Sequence, residues 1–215
     1  MLFATLPDYS ILDARLPRCY NPSVLPALDT LAWLACIVYA TIPGFWLLIH
    51  SRVEYWRSRR WSPYGVVIPL WIATWIVVAL ITRSWRHAAF YRAPWLWIPA
   101  AALFAVGFWI YRQAGVNFSK QQLCGLPELT AQDAEQRLVT AGIRARVRHP
   151  VYLGHLCEML AWSAGSGLMV CHALTTLAIV SGALMIHKED AELEQRFGAA
   201  FRDYRNSVPA LFPRL

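Results

Sequence analysis

Apolar residues along this chain come in blocks and do not alternate with polar ones. Residues 31–49, 64–82, 93–111 and 159–186 contain no Asp, Glu, Lys or Arg. A helix needs about 20 residues to cross the hydrocarbon core of a bilayer, so each of the first three blocks predicts one membrane span. The fourth is too long for a single span and contains the turn signal Ser-Ala-Gly-Ser-Gly at 163–167. It predicts a helical hairpin, with a first arm over roughly 151–164, a tight turn, and a second arm over 168–187. The expected fold is therefore all-α and polytopic, with five membrane helices. The fourth is short, about 22 Å on a rise of about 1.5 Å per residue. Past the hairpin, Leu193, Phe197, Phe201 and Tyr204 recur at helical spacing. They predict an amphipathic helix from 188 to about 206, mildly interrupted by Gly198 and stopped by Pro209.

Composition agrees with the pattern. Of the 215 residues, 57% are hydrophobic and only 15% charged, and eleven are tryptophan, too apolar for an ordinary water-soluble domain. Pro43, Pro69 and Pro99 lie inside the first three predicted helices, where neighbouring groups can satisfy the carbonyls they free. The first 26 residues hold Asp8, Asp13, Arg15, Arg18 and four prolines and lack the continuous apolar core of a signal peptide, so the first helix is expected to be retained.

Charge sets an expected orientation. With the N-terminus outside, five of the 20 Lys and Arg residues fall on outer segments and fifteen on inner ones, which puts the C-terminal tail in the cytoplasm. The net charge of +7 is then mostly a topology signal, and no basic soluble module suggests nucleic-acid binding. The five cysteines show neither a C-x-x-C pair nor zinc-ligand spacing, so no metal and no disulfide framework is expected. The chain divides naturally into 1–112, an N-terminal segment with three membrane helices, and 113–215, which holds the inner connector, the hairpin and the tail.

The segment 144–153, Arg-Ala-Arg-Val-Arg-His-Pro-Val-Tyr-Leu, puts three arginines, a histidine and a proline at the edge of the hairpin. Pro150 suits the first turn of a helix. Residues 147–149 then form an extended approach whose free N–H groups would join those of the helix start, a place that attracts anions. Arg148 and His149 add donors, Tyr152 adds an aromatic face and a hydroxyl, and Gly154 permits close approach. The same residues suit a second role, with Arg144, Arg146 and Arg148 snorkelling to lipid phosphates and Tyr152 in the aromatic belt. Inside the hairpin, His155 and Glu158 are three apart and share a helix face. Ionisable groups at such depth are costly, and they either pair as structural glue or serve function.

Together, Gln136–His155, the apolar hairpin and the acid-rich Phe-Gly tail through Pro213 resemble the C-terminal core of the isoprenylcysteine carboxyl methyltransferase family. These are integral-membrane enzymes that use S-adenosyl-L-methionine, with lipid N-methyltransferases as relatives. The resemblance rests on Arg148, His149, Pro150, Tyr152 and Gly154 combined with the tail, and covers a little over a third of the chain. It implies cofactor contacts at Gln136, Arg137, Leu138, Val139 and Arg144, and at His149, Pro150, Val151, Tyr152 and Gly154 around the helix start. It also implies a cofactor-binding acid at Glu189. An arginine that the prenylcysteine enzymes place against the substrate carboxylate is replaced here by Met185. Either His187 or Lys188 substitutes, or the acceptor is not a carboxylate.

The implied activity is methyl transfer to a lipid-like acceptor, such as a prenylcysteine carboxyl group or another lipid, at the cytoplasmic face of the membrane. A carboxylate acceptor needs no base, whereas an amine must lose a proton, for which Glu158 or His155 would serve. Two alternatives are a sterol-reductase-like enzyme using NADPH, which shares the His-Pro-x-Tyr-x-Gly element, and a non-catalytic membrane scaffold or transporter.

Overall fold

A computed structural model describes residues 24–52, 55–56, 58, 62–116 and 138–213. Six α-helices account for most of them: α1 (Val24–His50), α2 (Tyr64–Thr82), α3 (Trp97–Gly115), α4 (Pro150–Ser166), α5 (Met169–Phe197) and α6 (Ala199–Ser207). Short 3-10 turns at Pro94–Leu96 and Gly142–Ala145 lead towards α3 and α4. Among the described residues no strand is present, only an isolated antiparallel bridge between Ala89 and Leu168.

Four helices are long and apolar enough to span a membrane, over Pro26–His50, Tyr64–Thr82, Pro94–Gly115 and Met169–Phe197. α4, at 17 residues and about 25 Å, is shorter than a hydrocarbon core of about 30 Å, yet it runs from one end of the bundle to the other beside these four. Its composition has a packing explanation. α4 lies among α1, α3 and α5 and buries Gly154, Glu158, Ser163, Gly165 and Ser166 against them. A helix enclosed by protein can carry such residues, whereas one facing lipid cannot. By contrast, α2 and α3 expose Leu70, Ile76, Leu80, Ile98, Phe108 and Trp109, side chains suited to lipid.

The helices are joined by specific contacts. Trp71 and Trp75 each donate an indole N–H to Thr41 Oγ1, at 2.8 and 2.9 Å, and Trp33 donates to Thr82 Oγ1 at 2.9 Å, which fastens α2 to α1. The main core joins α1, α4 and α5 through Ala32, Cys36, Ile37, Met159, Cys171 and Leu174. α1 and α3 both pack on α4, but they make no substantial contact with each other among the described residues.

The turn between α4 and α5 depends on Gly167. Its φ is +67°, and a Cβ there would sit 2.3 Å from the Tyr91 carbonyl oxygen. The loop before α3 clamps this turn, with Phe90 N–H donating to Gly167 O and Met169 N–H to Ala88 O, both at 2.9 Å. Beside it, Asp29 at the start of α1 accepts from Arg92 at 2.8 Å. These contacts define one end of the bundle.

The other end gathers the C-termini of α1 and α3, the start of α4 and the charged extension of α5. The tail differs from its expectation. Residues 188–197 continue α5 without a break, so no separate amphipathic helix starts at 188. Gly198 then takes φ 57° and ψ −128°, a conformation that L side chains resist, and the chain turns into the nine-residue α6. Phe201, Tyr204 and Val208 are buried and pack with Leu138, Leu193 and Phe197, which folds the tail back onto α5 and onto the approach to α4.

Candidate active site

The approach to α4 is held by the tail. Arg148 N–H donates to Pro209 O at 2.9 Å and His149 N–H to Ala210 O at 3.0 Å, while Val147 N–H closes a turn onto Ile143 O. The expectation of free N–H groups at 147–149 is thus corrected. Backbone hydrogen bonds to the tail at 209–210 and to the preceding turn consume them, because buried N–H groups need partners. Tyr204 reinforces the closure by donating its hydroxyl to Arg144 O at 2.7 Å.

The side chains of this segment converge on α5. Arg148 Nη2 lies 2.6 Å from Asp190 Oδ2, and its Nη1 donates to the carbonyls of Arg205 and Val208. His149 Nε2 lies 2.8 Å from Asp190 Oδ1, and its Nδ1 is 3.6 Å from Glu189 Oε2. Burial alone would lower the His149 pKa, but the adjacent Glu189 charge and the hydrogen bond donated to Asp190 outweigh it and raise the pKa from 6.5 to about 9. His50, at the end of α1, pairs with Glu192 at 2.5 Å, and Glu192 also accepts from Arg196. Four elements thus meet in one polar cup.

From this cup a file of polar side chains runs along α4. His149, Tyr152, His155 and Glu158 follow at steps of three, each about 4.5 Å deeper. Ring centroids are 6.0 Å apart for His149–Tyr152 and 6.3 Å for Tyr152–His155. The His155 ring also meets Tyr39 of α1 at 5.3 Å and Tyr111 of α3 at 5.5 Å, both edge-on. Glu158 is 5% exposed, and its Oε2 accepts the Tyr39 hydroxyl proton. Glu158 Oε1 is buried without a hydrogen-bond partner, whereas the Tyr111 hydroxyl meets that of Tyr39 and the His155 ring meets the Val151 backbone. Glycines bring the walls close: a Cβ on Gly154 would lie 2.6 Å from the Tyr111 ring, and one on Gly107 would lie 3.0 Å from Glu158 Cγ.

Most of the residues singled out from sequence fall on this cup or file. Arg148, His149 and Glu189 line the cup, and Pro150 is the first residue of α4. Val151 and Tyr152 are partly buried in its first turn, and Gly154 packs on Tyr111. Arg144 is buried and donates to Ala114 O at 3.0 Å, bracing α3. Leu138 packs under α6, and Val139 follows it, partly buried. Gln136 and Arg137 lie outside the described residues. Met185 is fully buried, whereas His187 and Lys188 are exposed on α5 and no contact joins either to the cup. Asp190, Tyr39 and Tyr111 were not foreseen. Asp190 stood within a visible acidic run, but the two tyrosines sit in apolar blocks with no local signal.

No protein-family model matches the chain. It is 28% identical over 187 residues to methanethiol S-methyltransferase 2 of Bradyrhizobium diazoefficiens, covering 85% of this chain and 64% of that protein. It is 31% identical over 87 residues to protein-S-isoprenylcysteine O-methyltransferase B of Arabidopsis thaliana, covering 38% of this chain and 42% of that protein. A Delta(14)-sterol reductase of Mus musculus is 33% identical over 115 residues, 48% of this chain but 27% of the reductase. The chain spans less than two thirds of the length of each of these relatives. At modest identity, these relatives bear out the resemblance to isoprenylcysteine methyltransferase-like membrane methyltransferases. Four apolar helices mark the chain as an integral membrane protein.

Proposed function

We propose that this chain is an S-adenosyl-L-methionine-dependent methyltransferase whose donor binds in the polar cup and whose acceptor, an apolar or lipid-like molecule, approaches from the membrane. The observation that carries the reading is the meeting of the α4 approach, the acidic extension of α5 and the C-terminal tail at one end of the bundle.

The chemistry of the cup suits this donor. Glu189 is only partly buried, and its nearest cationic partner stands 3.6 Å away, which leaves carboxylate oxygens for an ammonium or for ribose hydroxyls. Tyr152, partly buried in the first turn of α4 beside His149, offers an aromatic face to a base. Asp190 fixes the imidazole of His149 and the guanidinium of Arg148, so the cup keeps its shape before any ligand arrives. The donor supplies a methyl group on a sulfonium and leaves as a neutral thioether. The protein's task is therefore to align the two reactants and exclude water. With fifteen of the 20 Lys and Arg residues on its side, the cup faces the cytoplasm.

The relatives' own names point to sulfur in one case and oxygen in another, so they leave the acceptor atom open. The test of the reading is donor binding. S-adenosylhomocysteine should raise the unfolding temperature of the purified protein in detergent, and Glu189→Ala should abolish the rise while still unfolding cooperatively. Stabilisation by NADPH in place of S-adenosylhomocysteine would favour a reductase. Stabilisation by neither would leave a scaffold.

A further inference from the structure

His50 is the last residue of α1, and its ring reaches the charged extension of α5, where Nδ1 stands 2.5 Å from Glu192 Oε2. The side chains of the pair are only 7% and 19% exposed, so the contact is made largely out of water. Three carboxylates of the extension are each tied to a different element. Asp190 holds Arg148 and His149 of the approach to α4, Glu194 holds Arg205 of α6 at 2.6 Å, and Glu192 holds His50 of α1. The other oxygen of Glu192 takes Arg196, one turn further along α5, at 2.5 Å. Both Glu192 oxygens are therefore engaged, whereas Glu189 keeps its nearest cationic partner at 3.6 Å.

Glu189 and Glu192 are three residues apart, so they share a face of α5 and stand about 4.5 Å apart along its axis. The charge of the His50 ring bears on both carboxylates. Deeper in the bundle α1 and α5 pack through Ile37, Cys36, Cys171 and Leu174, an apolar seam that fixes their spacing. At residues 188–197 that seam gives way to charged side chains, and charge-assisted hydrogen bonds take over the task of holding the helix in register. Resting on the methyltransferase reading, we infer that His50 is a positioning residue of the donor site: by holding Glu192 it fixes the face of α5 that carries Glu189, and so sets that carboxylate against the donor. α1 then does more than cross the membrane. It braces the cup from outside the stretch 136–213 on which the family resemblance rests. The role is in affinity for the donor and not in the transfer step.

The test is calorimetric titration of the full-length protein in detergent with S-adenosylhomocysteine, beside thermal unfolding of the ligand-free protein. His50→Ala should raise Kd about tenfold, on the order of one charge-assisted hydrogen bond. His50→Asn, whose amide N–H stands in for Nδ1, should keep Kd within about twofold of the unmodified protein. Glu192→Ala removes the same pair from the other side and should match His50→Ala, so the inference is testable even where His50→Ala does not fold. The double variant should bind no more than about twofold more weakly than either, because the two residues act as one unit. A His50 that only stabilises the fold would lower the unfolding temperature of both Ala variants and leave Kd unchanged. That result, or an equal loss of affinity in His50→Asn and His50→Ala, overturns the inference while the methyltransferase reading stands. No binding of S-adenosylhomocysteine by the unmodified protein overturns both.

Discussion

Asp190 is the residue on which the shape of the cup most depends, and Asp190→Ala is the perturbation that measures it. Its carboxylate meets Arg148 at 2.6 Å and His149 at 2.8 Å, and the side chains of these partners are only 9% and 3% exposed. Removing one member of a buried charged set typically costs about 3–5 kcal/mol, because the charge left behind is uncompensated. Two features pull the expectation to the lower end, about 3 kcal/mol. Arg148 keeps the carbonyls of Arg205 and Val208, and His149 can release its proton. For a chain of this size about 3 kcal/mol corresponds to a fall of roughly 6–12 °C in Tm. The eleven tryptophans make intrinsic fluorescence in detergent a suitable readout. The effect should also depend on pH. The pKa of His149 is raised from 6.5 to about 9 in the folded protein, so the stability it contributes is full below pH 6.5 and lost as pH rises through 9. The gap between the unmodified protein and the variant should therefore narrow across that window, yet stay open because Arg148 remains charged. An unchanged Tm at pH 6.5, or a gap that widens towards pH 10, would refute the reasoning.

Two glycine substitutions test the packing around the site. Gly154→Ala forces a Cβ to within 2.6 Å of the Tyr111 ring, and overpacking of that kind costs about 1–3 kcal/mol. Tm should fall by about 2–12 °C, and turnover should fall further as Tyr111 is pushed against His155, with stabilisation by S-adenosylhomocysteine retained. Gly167→Ala places an L side chain at φ +67°, costing roughly 1–2 kcal/mol before the clash with Tyr91 O is counted. Thermal unfolding should show a loss larger than that backbone contribution alone, and an unaltered Tm would mean that the α4–α5 turn is not clamped as described.

The helices were legible because a bilayer imposes length and apolarity on whatever crosses it, and blocks such as 64–82 could hardly be anything else. The status of α4 was harder to read. Its apolar block runs straight into that of α5, and only the packing of α1, α3 and α5 around it shows why it can be short and carry Glu158. The tail was legible as helical, but the point of division was not: apolar spacing carries across Gly198, whereas its backbone angles break the helix there. In the site, Arg148, His149 and Glu189 stood out because fixed charge beside an apolar block needs a reason. Their backbone partners, Pro209 and Ala210, did not, since backbone hydrogen bonds between distant loops leave no mark on side-chain pattern. Tyr39 and Tyr111 were hidden for a related cause. Each is one aromatic residue among many in its helix, and only the three-dimensional approach of α1 and α3 to α4 gives its hydroxyl a role.

The central claim, that a sulfonium nucleotide is held by the cup of Arg148, His149, Glu189 and Asp190, is tested most directly by thermal unfolding with S-adenosylhomocysteine. At 100 times its dissociation constant a ligand adds about 2.7 kcal/mol, or roughly 5–11 °C at this chain length. The account predicts a rise of that size for the unmodified protein and none for Glu189→Ala. No rise, or an equal rise in both proteins, would contradict it.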